Sequence, residues 1–140
     1  MTDNFQFKQS SHLDPSLTGP AATANTASLL GRWLNTNRDT RGISECVVTQ
    51  DGEGVTVSIT TVGDNQPVPW PVARATVLAN LEEEAGQRTI ALLAKFDLGY
   101  MTADTHVRVN KGVLVIVLYV TFHDDSGRSN YLNREFFYRC

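Results

Sequence analysis

From residue 29 onward the sequence is a train of eight short runs of β-forming residues, evenly spaced and separated by turn-forming residues. The runs cover 29–35, 43–50, 55–62, 72–80, 88–97, 100–110, 113–123 and 130–140. The third shows the pattern plainly. Val55, Val57 and Ile59 alternate with Thr56, Ser58 and Thr60, the period of two of a strand with one buried face. Between runs stand Asp51-Gly52-Glu53-Gly54, the three-proline stretch 63–71, the charged tip 81–87, Asn110-Lys111-Gly112 and Asp124-Asp125-Ser126-Gly127, all of them turn chemistry. The three prolines mark 63–71 as a loop. Segment 73–84 carries the helix formers Ala, Leu and Glu, but the even spacing of β runs on either side reads it as strand. Eight strands joined by short hairpins predict an all-β fold, an eight-stranded antiparallel up-and-down barrel, because closure removes exposed sheet edges.

A chain of 140 residues fits one domain. Residues 1–27 differ from the rest, being rich in Ser, Thr, Asn, Ala and Pro with only Phe5, Phe7, Leu13 and Leu17 as large apolar residues. They read as a flexible N-terminal arm, or as a grip in which Phe5 and Phe7 plug a pocket or a neighbouring subunit. The division is therefore an arm over 1–27 and a barrel domain over 28–140. Twelve Lys and Arg against fifteen Asp and Glu give a formal charge of −3, unlike the basic surface of a nucleic-acid binder. No run approaches the ~20 apolar residues of a membrane helix. The start lacks the basic and apolar regions of a secretory signal. Two cysteines, Cys46 and Cys140, read as free thiols in a reducing cytoplasm, with a bridge between the second and eighth runs as the alternative.

The seventh run, over 113–120, is apolar on both faces. A barrel wall with water outside should alternate, so its outer face needs a cover. The expected cover is a second copy of the chain, which makes a homo-oligomer with 113–120 in its interface; the alternative is the N-terminal arm in a monomer. The sixth run puts Met101, Ala103, Thr105, Val107 and Val109 on one face and Tyr100, Thr102, Asp104, His106 and Arg108 on the other. Arg74 and Thr76 share a face of the fourth. Such polar rows face water or line a cavity, and sequence alone does not set the parity of each strand against the lumen.

An eight-stranded barrel holds side chains or one small ligand. For catalysis, the acid–base or polarising candidates are Glu45, Arg74, Tyr100, Asp104, His106, Tyr119 and Tyr138. A carboxylate in an apolar barrel acts as an acid or base, and a tyrosine or arginine holds an enolate or carbonyl oxygen. For ligand binding the candidates are Trp70, Arg74, Tyr100, Tyr119, Phe122 and Tyr138. Trp70, in the rigid loop Pro67-Val68-Pro69-Trp70-Pro71, is either a rim residue or a plug at the barrel end. The stretch 35–41, dense in Asn, Thr, Arg and Asp, reads as a hairpin loop bonded to its own backbone, with gating as the alternative. His12, His106 and His123 have no metal-ligand spacing. The chain has no Gly-x-Ser-x-Gly elbow and no Gly-rich phosphate loop, so neither a metal nor a cofactor is expected.

At Leu30-Gly31-Arg32-Trp33 the sequence resembles the calycin superfamily, which includes lipocalins, fatty-acid-binding proteins and avidins. The resemblance rests on Gly31-x-Trp33 before the first strand and on arginines in the last. It implies that Trp33 closes one end of the barrel and that Arg134 or Arg139 packs across its ring. The stretches Gly31-Arg32-Trp33-Leu34-Asn35-Thr36-Asn37-Arg38-Asp39-Thr40-Arg41-Gly42-Ile43 and Asp125-Ser126-Gly127-Arg128-Ser129-Asn130-Tyr131 are also similar to a group of small bacterial lipocalin-like proteins. The superfamily implies a cavity for a small, mostly apolar molecule, and some barrels of similar shape are polyketide cyclases. The absence of a signal and of paired cysteines departs from the extracellular carriers. The expected function is intracellular binding of a small apolar or amphipathic molecule, with no nucleic-acid or membrane partner. A cofactor-free cyclase or isomerase in the same cavity, and an oligomeric interaction module with a filled barrel, are the alternatives.

Overall fold

A computed structural model describes residues 26–52, 54–79 and 90–140. Residues 1–25, with Phe5, Phe7 and His12, and the charged tip at 81–87 lie outside the described residues. Nine strands follow in order: β1 Gly31–Asn35, β2 Ile43–Asp51, β3 Gly54–Val62, β4 Pro67–Pro69, β5 Ala73–Ala79, β6 Ile90–Asp97, β7 Met101–Asn110, β8 Val113–Phe122 and β9 Tyr131–Arg139. Each hydrogen-bonds antiparallel to its neighbours in the order β2-β1-β9-β8-β7-β6-β5-β3-β4, and β2 also pairs β3. That last pairing closes eight strands into an up-and-down barrel, with β4 as an additional strand outside the eight. Residues 26–28 form one 3-10 turn, and among the described residues there is no α-helix.

The expected turn at 111–112 is a two-residue hairpin loop in which Lys111 has φ 54° and Gly112 φ 81°. Both central residues are left-handed, the geometry whose twist matches paired strands. Where a helix was weighed, 73–79 is strand β5.

One expectation needs correction. The three-proline stretch is not wholly loop, because Pro67–Pro69 pairs with β3 through Thr60↔Pro69 and Val62↔Pro67. Proline lacks a donor, but a strand bonded along one side leaves its other side free of that demand. The chain then turns inward, with the Trp70 N–H donating to the Ile59 carbonyl at 2.8 Å.

The alternation sets which residues enter the barrel. Val55, Val57 and Ile59 of β3, Leu92, Ala94 and Phe96 of β6, Met101, Ala103, Thr105 and Val107 of β7, and Leu114, Ile116, Leu118 and Val120 of β8 are all buried. Toward Trp33 the lumen is filled by side chains: Val107, Leu92, Leu114 and Phe137 keep no exposed surface at all. Thr105, the polar member of the β7 row, donates to the Ala94 carbonyl at 2.8 Å, which removes the cost of burying its hydroxyl. On β8 the outer row Val113, Val115 and Val117 is half-buried and Tyr119 is exposed. No helix among the described residues is long and apolar enough to cross a membrane.

Candidate functional site

The two ends of the barrel are built differently. At one end Trp33 is buried, and its indole Nε1–H donates to the Leu29 carbonyl at 2.9 Å. The Arg139 guanidinium lies 4.3 Å above its ring. Arg139 also donates to the Leu30 carbonyl and, at 2.7 Å, to the Ser28 carbonyl. Gly31 makes room for this. Its φ is +123°, and a Cβ there would come within 2.7 Å of Arg139 Nη1. Thr26, buried beside this seal, donates to Gln50 at 3.3 Å. Arg134, the other arginine considered, lies on the outer face with its guanidinium 5.8 Å from the Phe136 ring.

The opposite end is the mouth, where the loops at 36–42, 63–66, 98–100 and 123–130 gather. A cleft of about 340 Å³ opens there. Its floor is Ile43, Trp70, Met101 and Leu118, all buried. Trp70 is held by a tilted contact with Phe96, ring centres 5.3 Å apart. Arg41, Tyr100, Phe122, Arg128, Tyr131, Asn133 and Glu135 stand above this floor.

Two clasps shape the mouth. Glu135 is the first. Its Oε1 accepts from Asn35 Nδ2 at 2.8 Å and from the Thr40 hydroxyl at 2.5 Å, and its Oε2 accepts from the Ile43 N–H at 3.0 Å. Asn35, itself buried, also donates to the Ile43 carbonyl and accepts from the Asn37 N–H. Gly42 lets the loop approach, since a Cβ there would lie 2.5 Å from Glu135 Oε2. The carboxylate therefore staples the β1–β2 loop onto β9. Arg128 is the second clasp. It pairs with Asp124 at 2.7 Å, donates to the Ser126 hydroxyl at 2.9 Å, and lies 4.3 Å over Phe122 and 5.4 Å over Tyr100. Hydrogen bonds from Ser126, then the Arg128 bond, hold the Asp124 carboxyl below its ordinary range. Burial, reinforced by Glu135 and Tyr100 and opposed by Arg128, pushes the Tyr131 phenol up.

Arg41 and Asn133 differ from these neighbours. Both line the cleft, and neither side chain has a hydrogen bond or ion pair among the described residues.

Of the residues singled out from sequence, Tyr100, Trp70 and Phe122 share this cleft. Trp70 is a buried plug whose ring forms part of the floor, not a residue of the rim. The other six do not enter the lumen. Arg74, Asp104, His106 and Tyr119 come together on the outside of the wall, in a groove of about 350 Å³ shared with Thr76 and Leu93. Arg74 also pairs there with Asp51 at 3.2 Å. Glu45 pairs outside with Arg32; that carboxylate raises the Arg32 pKa. Tyr138 is exposed beside Leu34. The reason is parity. Each of these side chains sits on the strand face that alternates with a buried apolar row, and charged groups take the solvent face. Sequence reading missed Arg41, Arg128, Tyr131, Asn133 and Glu135. The signal was available in β9: if Arg139 covers Trp33, alternation turns Phe137, Glu135 and Asn133 inward as well.

Cys46 is buried and Cys140 exposed, and no disulfide joins them. Burial, with some help from Glu45, pushes the Cys46 thiol up to about 12. Among the described residues no group of three or more His, Cys, Asp or Glu is placed to hold a metal ion. The chain matches no family model, and no curated protein and no solved structure is significantly similar to it.

Proposed function

We propose that this chain binds a small amphipathic molecule at the mouth of a calycin-like barrel. The apolar part of the ligand rests on Trp70, Met101 and Leu118, and its polar or anionic end meets Arg41 and Asn133. The carrying observation is that these two are uncommitted above a buried apolar floor, while Glu135 and Arg128 beside them are fully engaged. Apolar walls with a few convergent polar groups are the usual composition of a small-molecule site. The location we propose is a reducing compartment such as the cytoplasm, supported by two unpaired thiols. The cyclase or isomerase reading is weaker. The cleft's one carboxylate, Glu135, already accepts three hydrogen bonds, which leaves no free base among the described lining residues.

Titration of the intact chain with dodecanoate and with 1-naphthoate, read by tryptophan fluorescence, tests the binding reading. Arg41→Ala should weaken the better of the two by about tenfold or more, the loss of one charge-assisted hydrogen bond. Equal binding by Arg41→Ala and the parent, or no saturable response to either acid, would overturn it.

A second copy as partner is supported by a separate observation. Tyr119, Leu132, Phe136 and Tyr138 are 49, 59, 43 and 45% exposed on the adjoining outer faces of β8 and β9. Val115 and Val117 lie among them in register with Phe136 and Arg134. Three half-exposed aromatics alone present about 300 Å² of largely apolar surface. In the folded protein, Val115→Lys with Val117→Lys should reduce the sedimenting mass to that of one chain. A mass already that of one chain in the parent would dismiss the oligomer.

A further inference from the structure

Closure of the barrel between β1 and β9 is incomplete at the mouth. Their ladder covers Trp33↔Arg139, Leu34↔Tyr138 and Asn35↔Phe137. Beyond it one bond remains, from the Thr36 N–H to the Phe136 carbonyl at 2.9 Å. The Cys140 N–H donates to the Arg32 carbonyl at the other end of the same ladder. These two bonds fix which way β9 faces. Its even-numbered residues aim their backbone at β1, and its odd-numbered residues aim theirs at β8, with which β9 stays in unbroken register from Phe137 to Tyr131. After Thr36 the first strand leaves, and the Glu135 clasp draws the 36–42 loop inward. The N–H and C=O of Leu132 and of Arg134, and the N–H of Phe136, are left without a backbone partner among the described residues. Arg134 and Phe136 line a slot of about 490 Å³ between β9 and that loop, and Leu132 continues the same edge of β9.

We propose that this slot takes one extended peptide of a partner protein by β-strand addition, with an acidic side chain opposite Arg134. Backbone groups at alternate residues, all aimed one way, are what an added strand pairs with, and an unpaired strand edge is the usual place for it. The slot is bordered by β9 on one side and by the 36–42 loop on the other, which favours a single strand over the wall of a second barrel. Alternation fixes the sequence preference. On the outer face the added strand meets Leu132, Arg134 and Phe136 in turn, so it should carry apolar, acidic and apolar residues at successive alternate positions. The charge agrees. Among the described residues Arg41 and Arg134 line the slot without an ion pair, and Asp39 is the one lining carboxylate with no side-chain partner, since Glu135 is engaged.

The test is residue-resolved amide exchange on the full chain, with the probe peptide acetyl-Thr-Val-Thr-Glu-Thr-Val-Thr-amide and a control in which Lys replaces Glu. Alone, the amides of Leu132 and Arg134 should exchange about a hundredfold faster than those of Asn133 and Glu135, which bond to β8. The Glu peptide should slow Leu132 and Arg134 at least about tenfold and the Lys peptide should not, and Arg134→Glu should reverse that preference. Slow exchange of both amides in the full chain alone would overturn the proposal. Independence from protein concentration would then assign the slot to the chain's own residues, and dependence on it to a second copy. Failure of the Glu peptide to slow them, or equal slowing by both peptides, would overturn it too.

Discussion

The two ends of this barrel are made by the same strands and spend their polar groups in opposite ways. At the Trp33 end a single arginine covers the ring and gives its donors to the carbonyls of Leu30 and Ser28. The indole donor is likewise used on Leu29. What remains there is packing. At the mouth Glu135 and Arg128 do comparable work in fixing loops, but the side chains of Arg41 and Asn133 beside them have no partner among the described residues. A sealed end and a recognition end thus differ less in residue type than in whether the donors and acceptors balance. Where they balance the end is a plug, and the surplus at the mouth is what the proposed binding rests on.

Several substitutions break or sharpen this contrast. Trp33→Ala removes the largest buried side chain of the sealed end and should cost about 3–5 kcal/mol in urea unfolding; a loss under about 1 kcal/mol would mean that the ring is not what closes the barrel. Glu135→Ala should cost about 2 kcal/mol, because the Asn35, Thr40 and Ile43 donors lose their shared acceptor in a half-buried setting. It should also raise exchange at the Ile43 amide, a local effect that Trp33→Ala would not mimic.

Cys46 gives the next effect. In the unfolded chain a thiol ionises near pH 8.5, whereas in the fold Cys46 holds its proton to about 12. Between those values the unfolded state binds fewer protons, so stability is lost as pH rises, by up to about 1.4 kcal/mol per pH unit. Cys46→Ala should flatten that part of the slope between pH 8 and 10. At pH 8 iodoacetamide should label Cys140 alone until denaturant is added. Arg41→Ala should be the mildest change, within about 0.5 kcal/mol of the parent in stability, and its effect should show only in ligand titrations.

Much of the fold was legible because alternation is a local property. Val55 through Thr60 announces a strand face without reference to anything else, and Asn110-Lys111-Gly112 announces its turn. The β4 strand was hidden because its prolines are tolerated only where one side of the strand stays unpaired, which is a fact about neighbours. The site was less legible for the same reason. His106 and Asp104 lie on a strand whose other face is just as regular, and nothing within β7 says which face is in. The missing information lay in the pairing of Trp33 with Arg139, 106 residues apart. Choosing between Arg139 and Arg134 sets the parity of β9, and with it the inward direction of Asn133 and Glu135.

The seam between β1 and β9 also bears on how the molecule comes into being. A ribosome delivers Gly31–Asn35 about a hundred residues before the strand that must lie beside it. Until that partner emerges, the nascent chain can form hairpins in sequence but cannot finish its ring, and the apolar flank of Trp33 waits uncovered. Folding should therefore end in a late, long-range step that local turn strength does little to hasten. In the cell, that waiting interval is when the growing polypeptide is most exposed to aggregation or to capture by chaperones.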